Sequence, residues 1–286
     1  MSNSSSSSPI KKVGYQGRPG AYSQSAASSF FKTEITTLAF DTFENVFEAC
    51  VNGEIDYGII PLENSLAGGI LENFDHLLHF NAHICGEIHH RVKHHLMGSK
   101  ESSLDAVTII RSHPQALMQC KKNLKKLGNF KVESYFDTAG AVESVAKENA
   151  PHVAAIASEF SASLYPVKVL ASNIEDNHEN YTRFVVISAA AQRPDPSHPI
   201  KTSIVYTLKN IPGALFKSLS AFATRDIDLL KIESRPIHGS PFKYQFYVDF
   251  AADSLTEPGR NALRHLTEIS ETLKLLGSYN YNEKSI

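Results

Sequence analysis

Tryptophan is absent from this 286-residue sequence, and cysteine is scarce, with three residues. Cys50, Cys85 and Cys120 are odd in number and far apart, which excludes the disulfide framework of a small secreted protein. No Cys-x-x-Cys pair suggests zinc, so we expect no metal site. Few, unpaired cysteines are typical of a reducing compartment, and we therefore predict a cytoplasmic protein.

Long runs of one residue class are also missing. No apolar stretch approaches the roughly 18 to 20 residues that a membrane span needs, so we expect no membrane segment. The formal net charge is −2 and no long basic run exists, which argues against nucleic acid as a partner. A hydrophobic content of 42% and a charged content of 20% are those of a globular chain with one large or two ordinary domains.

Residues 1–9 are almost all serine. They lack the apolar core of a secretory signal, and their low hydrophobicity predicts a disordered tail. Residues 10–190, by contrast, alternate apolar strand-like runs with helical patterns. This alternation predicts an α/β domain, with a mostly parallel sheet arrangement and a cleft between two lobes.

One helix start in this domain is suited to an anionic ligand. Gly20 lets the backbone pass close to a ligand, and Tyr22 and Ser23 open a helix whose N–H groups can hold a carboxylate. A later predicted helix starts around Thr138. A plain tight turn is the alternative explanation for the glycine-rich segment before Tyr22.

Three polar residues, Glu63, Asn64 and Ser65, directly follow a predicted buried strand over residues 56–62. Open α/β sheets bind ligands beyond the carboxyl ends of their strands, which makes these residues candidates for a binding site. Helix capping is the alternative role for Asn64 and Ser65, because both residue types cap well.

A second polar group lies around residue 112. Ser112 is predicted to be the N-cap of one helix that runs to about Leu127, with Gln115 three residues later as in a capping box. Gln119 falls one turn after Gln115 on the same side. Capping and ligand binding are compatible for Ser112. His113 precedes a proline and is equally well explained as a base or as a packed side chain.

Histidine is concentrated in one segment, which raises the question of a metal. The seven histidines of this segment are His76, His79, His83, His89, His90, His94 and His95. Their spacing matches no zinc motif, and they straddle a helix end and a strand. We therefore interpret the segment as a solvated surface.

Thr182 and Arg183 precede a short apolar run, Phe184 to Ile187, which predicts a buried strand with the polar pair at its start. A hydroxyl and a guanidinium on the edge of a rigid strand suit an anionic substrate that must lose an oxygen. The alternative is an ordinary exposed strand end.

The C-terminal part has a different pattern. Residues 191–201 contain three prolines within six positions, which predicts an extended linker. Residues 202–282 follow the order βαββαβ, including a strand that alternates cleanly from Phe242 to Phe250. This order predicts a small antiparallel, ferredoxin-like α+β sheet with both helices on one face.

Several of these motifs resemble one known family. Thr182-Arg183-Phe184 before an apolar strand, Pro61-Leu62-Glu63-Asn64-Ser65, and Ser112-His113-Pro114-Gln115 resemble the prephenate dehydratases and the related arogenate dehydratases. The resemblance extends from residue 12 to about residue 281. It implies a two-lobed catalytic domain resembling a periplasmic binding protein over residues 10–190, with an inserted lobe at about 95–168. It also implies that residues 202–282 form an ACT domain, a small-molecule regulatory module.

The resemblance implies decarboxylating dehydration of prephenate to phenylpyruvate, water and CO2 in L-phenylalanine biosynthesis. Arogenate, whose alanyl side chain replaces the pyruvyl one, remains an alternative substrate because the segments at 17–23 and 61–65 resemble the plant arogenate enzymes. No cofactor is implied. A non-catalytic binding protein is disfavoured by the ACT-like segment and the missing secretory signal.

The family implies a role for each candidate residue. We expect Thr182 to act on the departing oxygen and Arg183 to bind a carboxylate or orient Thr182. Glu63 is a candidate proton source. The residues expected to contact substrate are Gly20, Tyr22, Ser23, Asn64, Ser65, Ser112, Gln119, Thr138 and Phe184.

The resemblance also implies a site for L-phenylalanine and feedback inhibition. The residues concerned are Asn210, Pro212, Gly213, Ala214, Leu215, Phe216, Glu233, Ser234 and Arg235. N–H groups at the start of a helix can hold the effector carboxylate. A module that only dimerises is the alternative. We expect a homodimer or a homotetramer built as a dimer of dimers.

Overall fold

A computed structural model describes residues 10–237, 239 and 243–282 of the chain. The predicted serine-rich tail, residues 1–9, and Phe242, the first residue of the predicted alternating strand, lie outside the described residues. Within the described part, the strands form three sheets.

The first sheet has the order β2-β1-β3-β11-β5, with β4 paired to β3. Its strands are β1 (Lys11–Gln16), β2 (Ile35–Phe40), β3 (Tyr57–Asn64), β4 (Gly68–Gly69), β5 (His83–Arg91) and β11 (Tyr181–Ser188). Its helices are α1 (Tyr22–Phe31), α2 (Phe43–Val51) and α3 (Leu71–His79). Strand β11 is antiparallel to both β3 and β5, so this sheet is mixed rather than mostly parallel.

The second sheet has the order β10-β6-β9-β7-β8 and is also mixed. Its strands are β6 (His95–Ser99), β7 (Ile109–Ser112), β8 (Lys131–Ser134), β9 (Val153–Ala157) and β10 (Val167–Ala171). Its helices are α4 (Pro114–Gln119), α5 (Lys121–Leu127), α6 (Thr138–Glu148) and α7 (Glu159–Leu164). The chain therefore leaves the first sheet after β5 and returns to it in β11.

The predicted helix starting at Ser112 is wrong in two respects. Ser112 is the last residue of β7, and its Oγ donates a 2.6 Å hydrogen bond to the carbonyl of Ile156 instead of capping a helix. His113 is the N-cap, with its Nδ1 accepting from the N–H of Gln115. Proline at 114 keeps the residue before it out of the helical region, which moves the helix start. The helix is also interrupted at Cys120.

The third sheet is antiparallel with the order β13-β14-β12-β15. Its elements are β12 (Ile200–Leu208), α8 (Ala214–Ala223), β13 (Leu229–Pro236), β14 (Tyr244–Phe250), α9 (Glu257–Ile269) and β15 (Ser270–Asn280). A core of apolar side chains from both helices and the sheet confirms the βαββαβ arrangement with α8 and α9 on one face. The last strand spans 11 residues.

The other face of the third sheet packs against the first sheet. Tyr247 and Tyr279 belong to the same buried apolar cluster as Phe74 and Ile84. A side chain at Gly277 would place its Cβ 2.1 Å from the carbonyl oxygen of Ile84, so β15 lies directly on β5. In the described part of the chain, no helix combines the length and the apolar character needed to cross a membrane.

Candidate active site

The pairing of β3 with β11 places the predicted site residues on two opposite faces. Thr182 is opposite Asn64, and Arg183 is opposite Glu63. Successive side chains of a strand point to opposite faces of its sheet. The Asn64–Thr182 pair faces a cleft between the first and second sheets, whereas the Glu63–Arg183 pair faces the third sheet.

The cleft has a volume of about 390 Å³ and is lined from both lobes. The predicted residues that it brings together are Tyr22, Ser23, Asn64, Gln119, Thr138, Thr182 and Phe184. Lining residues that were not predicted to contact substrate include Gln16, Phe43, His94, His113 and Gln115. The glycine pair Gly68–Gly69 and Ile70 form part of the wall next to Asn64.

Asn64 is held in one orientation by the backbone. Its Oδ1 accepts hydrogen bonds from the N–H groups of Leu66 (3.1 Å) and Ala67 (3.0 Å). Its Nδ2 must therefore point the other way, where it donates to Asn180 Oδ1 at 2.7 Å, to Thr182 Oγ1 at 3.0 Å and to the carbonyl of Tyr181 at 3.1 Å. Its role is thus to direct a donor at Thr182, and it does not cap a helix.

Thr182 lies within β11 and is 8% exposed. Its Oγ1 accepts from Asn64, and in the described part of the chain it donates to no protein acceptor. The hydroxyl proton is therefore available to an atom bound in the cleft. A donated hydrogen bond on Oγ1 makes that proton a better donor, because hydrogen bonds in a chain polarise one another.

The hydrogen bonds continue from Asn64 across the cleft. Asn180 Nδ2 donates to Gln119 Oε1 at 3.1 Å, and His94 Nε2 lies 2.8 Å from the same oxygen. His94 Nδ1 in turn lies 2.8 Å from the hydroxyl of Tyr22. The network joins both lobes, because Gln119 belongs to α4 while Tyr22 and Asn64 belong to the first sheet and its helices.

His94 and His95 contradict the interpretation of the histidine-rich segment as a solvated surface, since they are 2% and 3% exposed. Burial lowers the pKa of His94, against the opposing effects of the Gln119 hydrogen bond and the Glu175 charge. The sequence signal for His94 was its position in that segment, but no spacing distinguished it from its neighbours.

No lysine, arginine, aspartate or glutamate is found among the described residues that line the cleft. An anionic substrate there is met by amides, hydroxyls, imidazoles and backbone N–H groups. Helix α1 begins at Tyr22, and its N-cap, Ala21, provides no side-chain hydrogen bond, so its first N–H groups are open to a carboxylate. The site is therefore built for hydrogen bonding to anions and to a departing oxygen.

The structure contradicts a cleft role for Arg183 and Glu63. Arg183 is 5% exposed and reaches Glu87 at 2.8 Å and Asp249 at 2.7 Å on the face away from the cleft. Glu63 pairs with Lys231 and with Arg183. Burial alone would raise the pKa of Glu63, but these two cations hold it below its usual value, which is the reverse of a proton donor.

Three other predicted contacts lie outside the cleft lining. Ser65 bonds the carbonyl of Glu179, Ser112 is buried against β9, and the carbonyl of Gly20 accepts from Ser158 at 2.8 Å. Gly20 and Ser65 therefore join segments of the structure around the cleft. Local sequence gave no means of separating these supporting positions from the lining.

A second cavity of about 250 Å³ lies at the start of α8. The predicted effector residues that line it are Asn210, Gly213, Ala214, Leu215 and Phe216. Glu233, Ser234 and Arg235 lie in β13 rather than after it, and they are absent from this lining, as is Pro212. Arg235 instead reaches Asp75 of α3 at 2.6 Å.

One family model matches the part of the chain that forms the cleft. The family model for prephenate dehydratase matches residues 13–192, which is more than half of the chain. This chain belongs to the prephenate dehydratase family. The match contains both strands of the Asn64–Thr182 pair and the second sheet between them.

Named relatives match nearly the whole chain. Arogenate dehydratase/prephenate dehydratase 2, chloroplastic, of Arabidopsis thaliana is 42% identical over 277 residues, covering 94% of this chain and 72% of that protein. Arogenate dehydratase 2 of Petunia hybrida is 39% identical over 293 residues, covering 98% and 74%.

Solved structures agree on the fold. Prephenate dehydratase of Arthrobacter aurescens in complex with L-Phe matches with a TM-score of 0.87 and 27% identity, covering 96% of this chain and 91% of that one. A structure described as GqqA, a novel type of quorum quenching acylase, matches with a TM-score of 0.88 and 33% identity, covering 96% and 99%.

Proposed function

We propose that this member of the prephenate dehydratase family converts prephenate into phenylpyruvate, CO2 and water, with Thr182 acting on the departing hydroxyl. The observation that carries the assignment is the orientation of Thr182, which accepts from Asn64 and keeps its own proton for the cleft. Family membership supports the reaction, and the hydrogen bonds support the choice of Thr182 as the residue that acts on the leaving group.

The chemistry asks little of the protein beyond positioning. As the ring carbon–oxygen bond breaks, the bond to the ring carboxylate breaks too, and its electron pair completes the aromatic ring. Charge develops on the departing oxygen, where a preorganised donor is worth most. Thr182 stabilises that charge. Gln119, Ser23, Thr138 and the first N–H groups of α1 are placed to bind the two carboxylates.

Thr182→Val tests this assignment, because valine keeps the shape of the side chain and removes the hydroxyl. We expect kcat to fall on the order of a hundredfold, corresponding to about 3 kcal/mol of lost transition-state stabilisation. Thr182→Ser, which restores a hydroxyl, is the matched control and should recover much of the rate. Turnover of Thr182→Val at the unsubstituted rate would refute the role.

Arogenate is the second candidate substrate, and the names of the relatives favour it. Arogenate carries an ammonium group where prephenate carries a ketone. No carboxylate lines the described part of the cleft, so no ion pair there would hold an ammonium, and this favours prephenate. Measuring kcat/KM for both substrates with the same enzyme decides between them. A ratio in favour of arogenate would overturn the preference.

The acylase description belongs to the similar solved structure. Acyl transfer commonly uses a serine, threonine or cysteine activated by a neighbouring base. In the described part of this cleft no hydrogen bond joins such a residue to a histidine. We therefore do not extend that activity to this chain.

For the division of the chain, we propose a catalytic domain over residues 10–190, with an inserted lobe at about 95–168, a linker over 191–201 and an ACT regulatory domain over 202–282. L-phenylalanine is the proposed inhibitor, bound in the cavity at the start of α8. The Gly213 to Phe216 lining and the L-Phe complex of a similar protein support this proposal.

Glu233 and Ser234 lie apart from that cavity within one chain, and Ser234 is exposed. We propose that a second subunit brings these β13 residues to the effector, in a homodimer or a homotetramer. The cytoplasm remains the proposed location. The three free cysteines support a reducing compartment, although six of the similar relatives are named chloroplastic.

Gly213→Trp tests the effector site. Gly213 has a φ of 77° and open space around its Cα, so a large side chain there both strains the backbone and fills the cavity. We expect calorimetry to show L-phenylalanine binding to the unsubstituted protein and at least a tenfold weaker affinity in the variant, with uninhibited turnover retained. Equal affinity in both proteins would contradict the proposed site.

A further inference from the structure

The hydrogen bonds of the cleft run in one direction, and the backbone sets that direction. The N–H groups of Leu66 and Ala67 occupy Asn64 Oδ1, so Asn64 presents its amide hydrogens to Asn180 Oδ1. Asn180 therefore presents its own amide hydrogens to Gln119 Oε1. Each amide is fixed by the one before it, without a free choice of orientation.

The direction of these hydrogen bonds extends to His94 and determines its tautomer. His94 Nε2 lies 2.8 Å from Gln119 Oε1, which is an acceptor only. Two acceptors at that distance repel each other, so Nε2 must carry a hydrogen. The other ring nitrogen, Nδ1, is then the position at which His94 gains or loses a proton.

Tyr22 is the partner of that nitrogen. Its hydroxyl oxygen lies 2.8 Å from His94 Nδ1 and 2.7 Å from the carbonyl of Lys93, and it has one hydrogen for the two acceptors. When His94 is neutral, Tyr22 can donate to Nδ1. When His94 is protonated, Nδ1–H donates to Tyr22, whose hydrogen is released toward Lys93 or the cleft that Tyr22 lines.

We propose that His94 is the proton reservoir for the departing hydroxyl, delivering the proton on Nδ1 through the hydroxyl of Tyr22. The proton passes from Nδ1 to the Tyr22 oxygen while the Tyr22 hydroxyl proton passes to the leaving oxygen. The carbon–oxygen bond breaks, CO2 and water depart, and His94 is left neutral until solvent protonates it again. This inference rests on the proposed dehydratase function, in which Thr182 hydrogen-bonds the same oxygen.

The charges around His94 determine the pH range in which it is protonated. Glu175 accepts from the backbone N–H of His94 at 3.0 Å, and its negative charge favours the protonated ring. Burial and the neighbouring His95 oppose protonation, so the pKa of His94 is lowered. Burial, with the nearby Cys120 and Glu175, keeps the pKa of Tyr22 well above its usual range, so Tyr22 transfers a proton without resting as the anion.

His113 is the competing proton source, because it is the other imidazole that lines the described cleft. Its Nδ1 accepts from the N–H of Gln115, and its contacts do not include Tyr22 or Gln119. His113→Gln is therefore the matched control for His94→Gln. Lys93 is next to His94 in sequence. Its backbone carbonyl accepts from the Tyr22 hydroxyl, and the residue is exposed.

The first test is the dependence of kcat/KM on pH. We expect the value for the unsubstituted enzyme to fall about tenfold per pH unit above the pKa of His94, because the protonated form is required. His94→Gln and Tyr22→Phe should have lower rates without this decline, and His113→Gln should keep it. A decline that persists in His94→Gln, or that disappears in His113→Gln, would overturn the proposal.

The second test needs no change at His94. Nitrogen-15 NMR of the full-length, histidine-labelled protein should show neutral His94 with hydrogen on Nε2. Asn180→Asp should move it to Nδ1, because a carboxylate turns the Gln119 amide around. Neutral His94 with its hydrogen on Nδ1 in the unsubstituted protein would refute the proposed direction of the hydrogen bonds. If the unsubstituted enzyme dehydrates prephenate with a kcat/KM that does not depend on pH, the His94 proposal is wrong and the dehydratase assignment stands. If the enzyme does not turn over prephenate, the dehydratase assignment is wrong.

Discussion

Asn64 determines the geometry of the site more than any other single side chain. Its carbonyl oxygen accepts two backbone N–H groups, and its amide nitrogen contacts both Thr182 and Asn180. It is 8% exposed, so few water molecules can substitute for these partners. The orientation of Thr182 and the direction of the hydrogen bonds toward His94 both start at this residue.

Asn64→Asp removes the donor function of the amide toward both Thr182 and Asn180. One carboxylate oxygen can still accept from Leu66 and Ala67, but the other faces Thr182 and turns the threonine proton away from the cleft. We expect kcat to fall on the order of a hundredfold, similar to loss of the Thr182 hydroxyl. Steady-state kinetics measure this effect, and a thermal melt within a few degrees of the parent confirms that the turn is intact. A kcat within threefold of the parent would show that the donor is dispensable.

At the scale of the element, β11 carries two functions on its two faces. Thr182 and Phe184 line the cleft, whereas Arg183 enters a buried ionic cluster between the first and third sheets. The cluster contains three cations and four carboxylates: Arg183, Lys201, Lys231, Glu63, Glu87, Asp249 and Glu233. Each of these charges has a partner, because an unpaired buried ion is strongly destabilising.

Glu63→Gln distinguishes a structural role from a catalytic one. Because the folded-state pKa of Glu63 lies below its usual 4.5, its ion pairs stabilise the fold above that pH. This stabilisation is lost as the pH falls through the folded value. We expect the free energy of unfolding, from urea titrations between pH 7 and pH 3, to decline less steeply in the variant. Its kcat at neutral pH should stay within threefold of the parent.

Glu101→Gln is the control for this measurement, because Glu101 is exposed and lies outside the cluster. It should follow the parent at every pH. A hundredfold loss of kcat in Glu63→Gln would restore the sequence-based role of Glu63 as a proton source.

At the scale of the whole molecule, the third sheet holds α3 of the first lobe. Lys274 donates to the carbonyls of Leu77, Leu78 and Phe80 at 2.7–2.9 Å, and the Tyr247 hydroxyl donates to Phe74 at 2.8 Å. Helix α3 follows the Gly68–Gly69 wall of the cleft. A shift of the third sheet would therefore move α3, which would give the proposed effector a physical route to the cleft.

Gly277→Ala tests how closely the two sheets must approach. The added Cβ would lie 2.1 Å from the backbone oxygen of Ile84, which cannot rotate away, so β15 must separate from β5. We expect a loss of about 1–3 kcal/mol in the free energy of unfolding, as for other overpacked sites. Gly53→Ala, with a φ of 74° and open space around it, controls for the backbone strain of a methyl group at a positive-φ glycine without the clash. A variant as stable as the parent would contradict the close contact.

The local sequence pattern was sufficient to predict most helices and strands, because the hydrophobic period and the turn residues depend on residues that are neighbours in the sequence. The buried strand predicted over residues 56–62 corresponds to β3, and the βαββαβ order of the third sheet is correct. The helix predicted from Ser112 failed because proline at 114 and the pairing of β7 outweighed a capping pattern. Asn64 and Thr182 were both recognised from motifs, and their contact depends on residues 118 apart in sequence.

The sequence by itself determined the family and the alternation of elements, since each is encoded in short segments. Only the tertiary structure decided which of the polar residues on β3 and β11 face the cleft. Side chains alternate along a strand, so Glu63 and Arg183 point to the third sheet while Asn64 and Thr182 point to the cleft. Which face becomes the cleft depends on what packs against each side, and that information is spread over the whole chain.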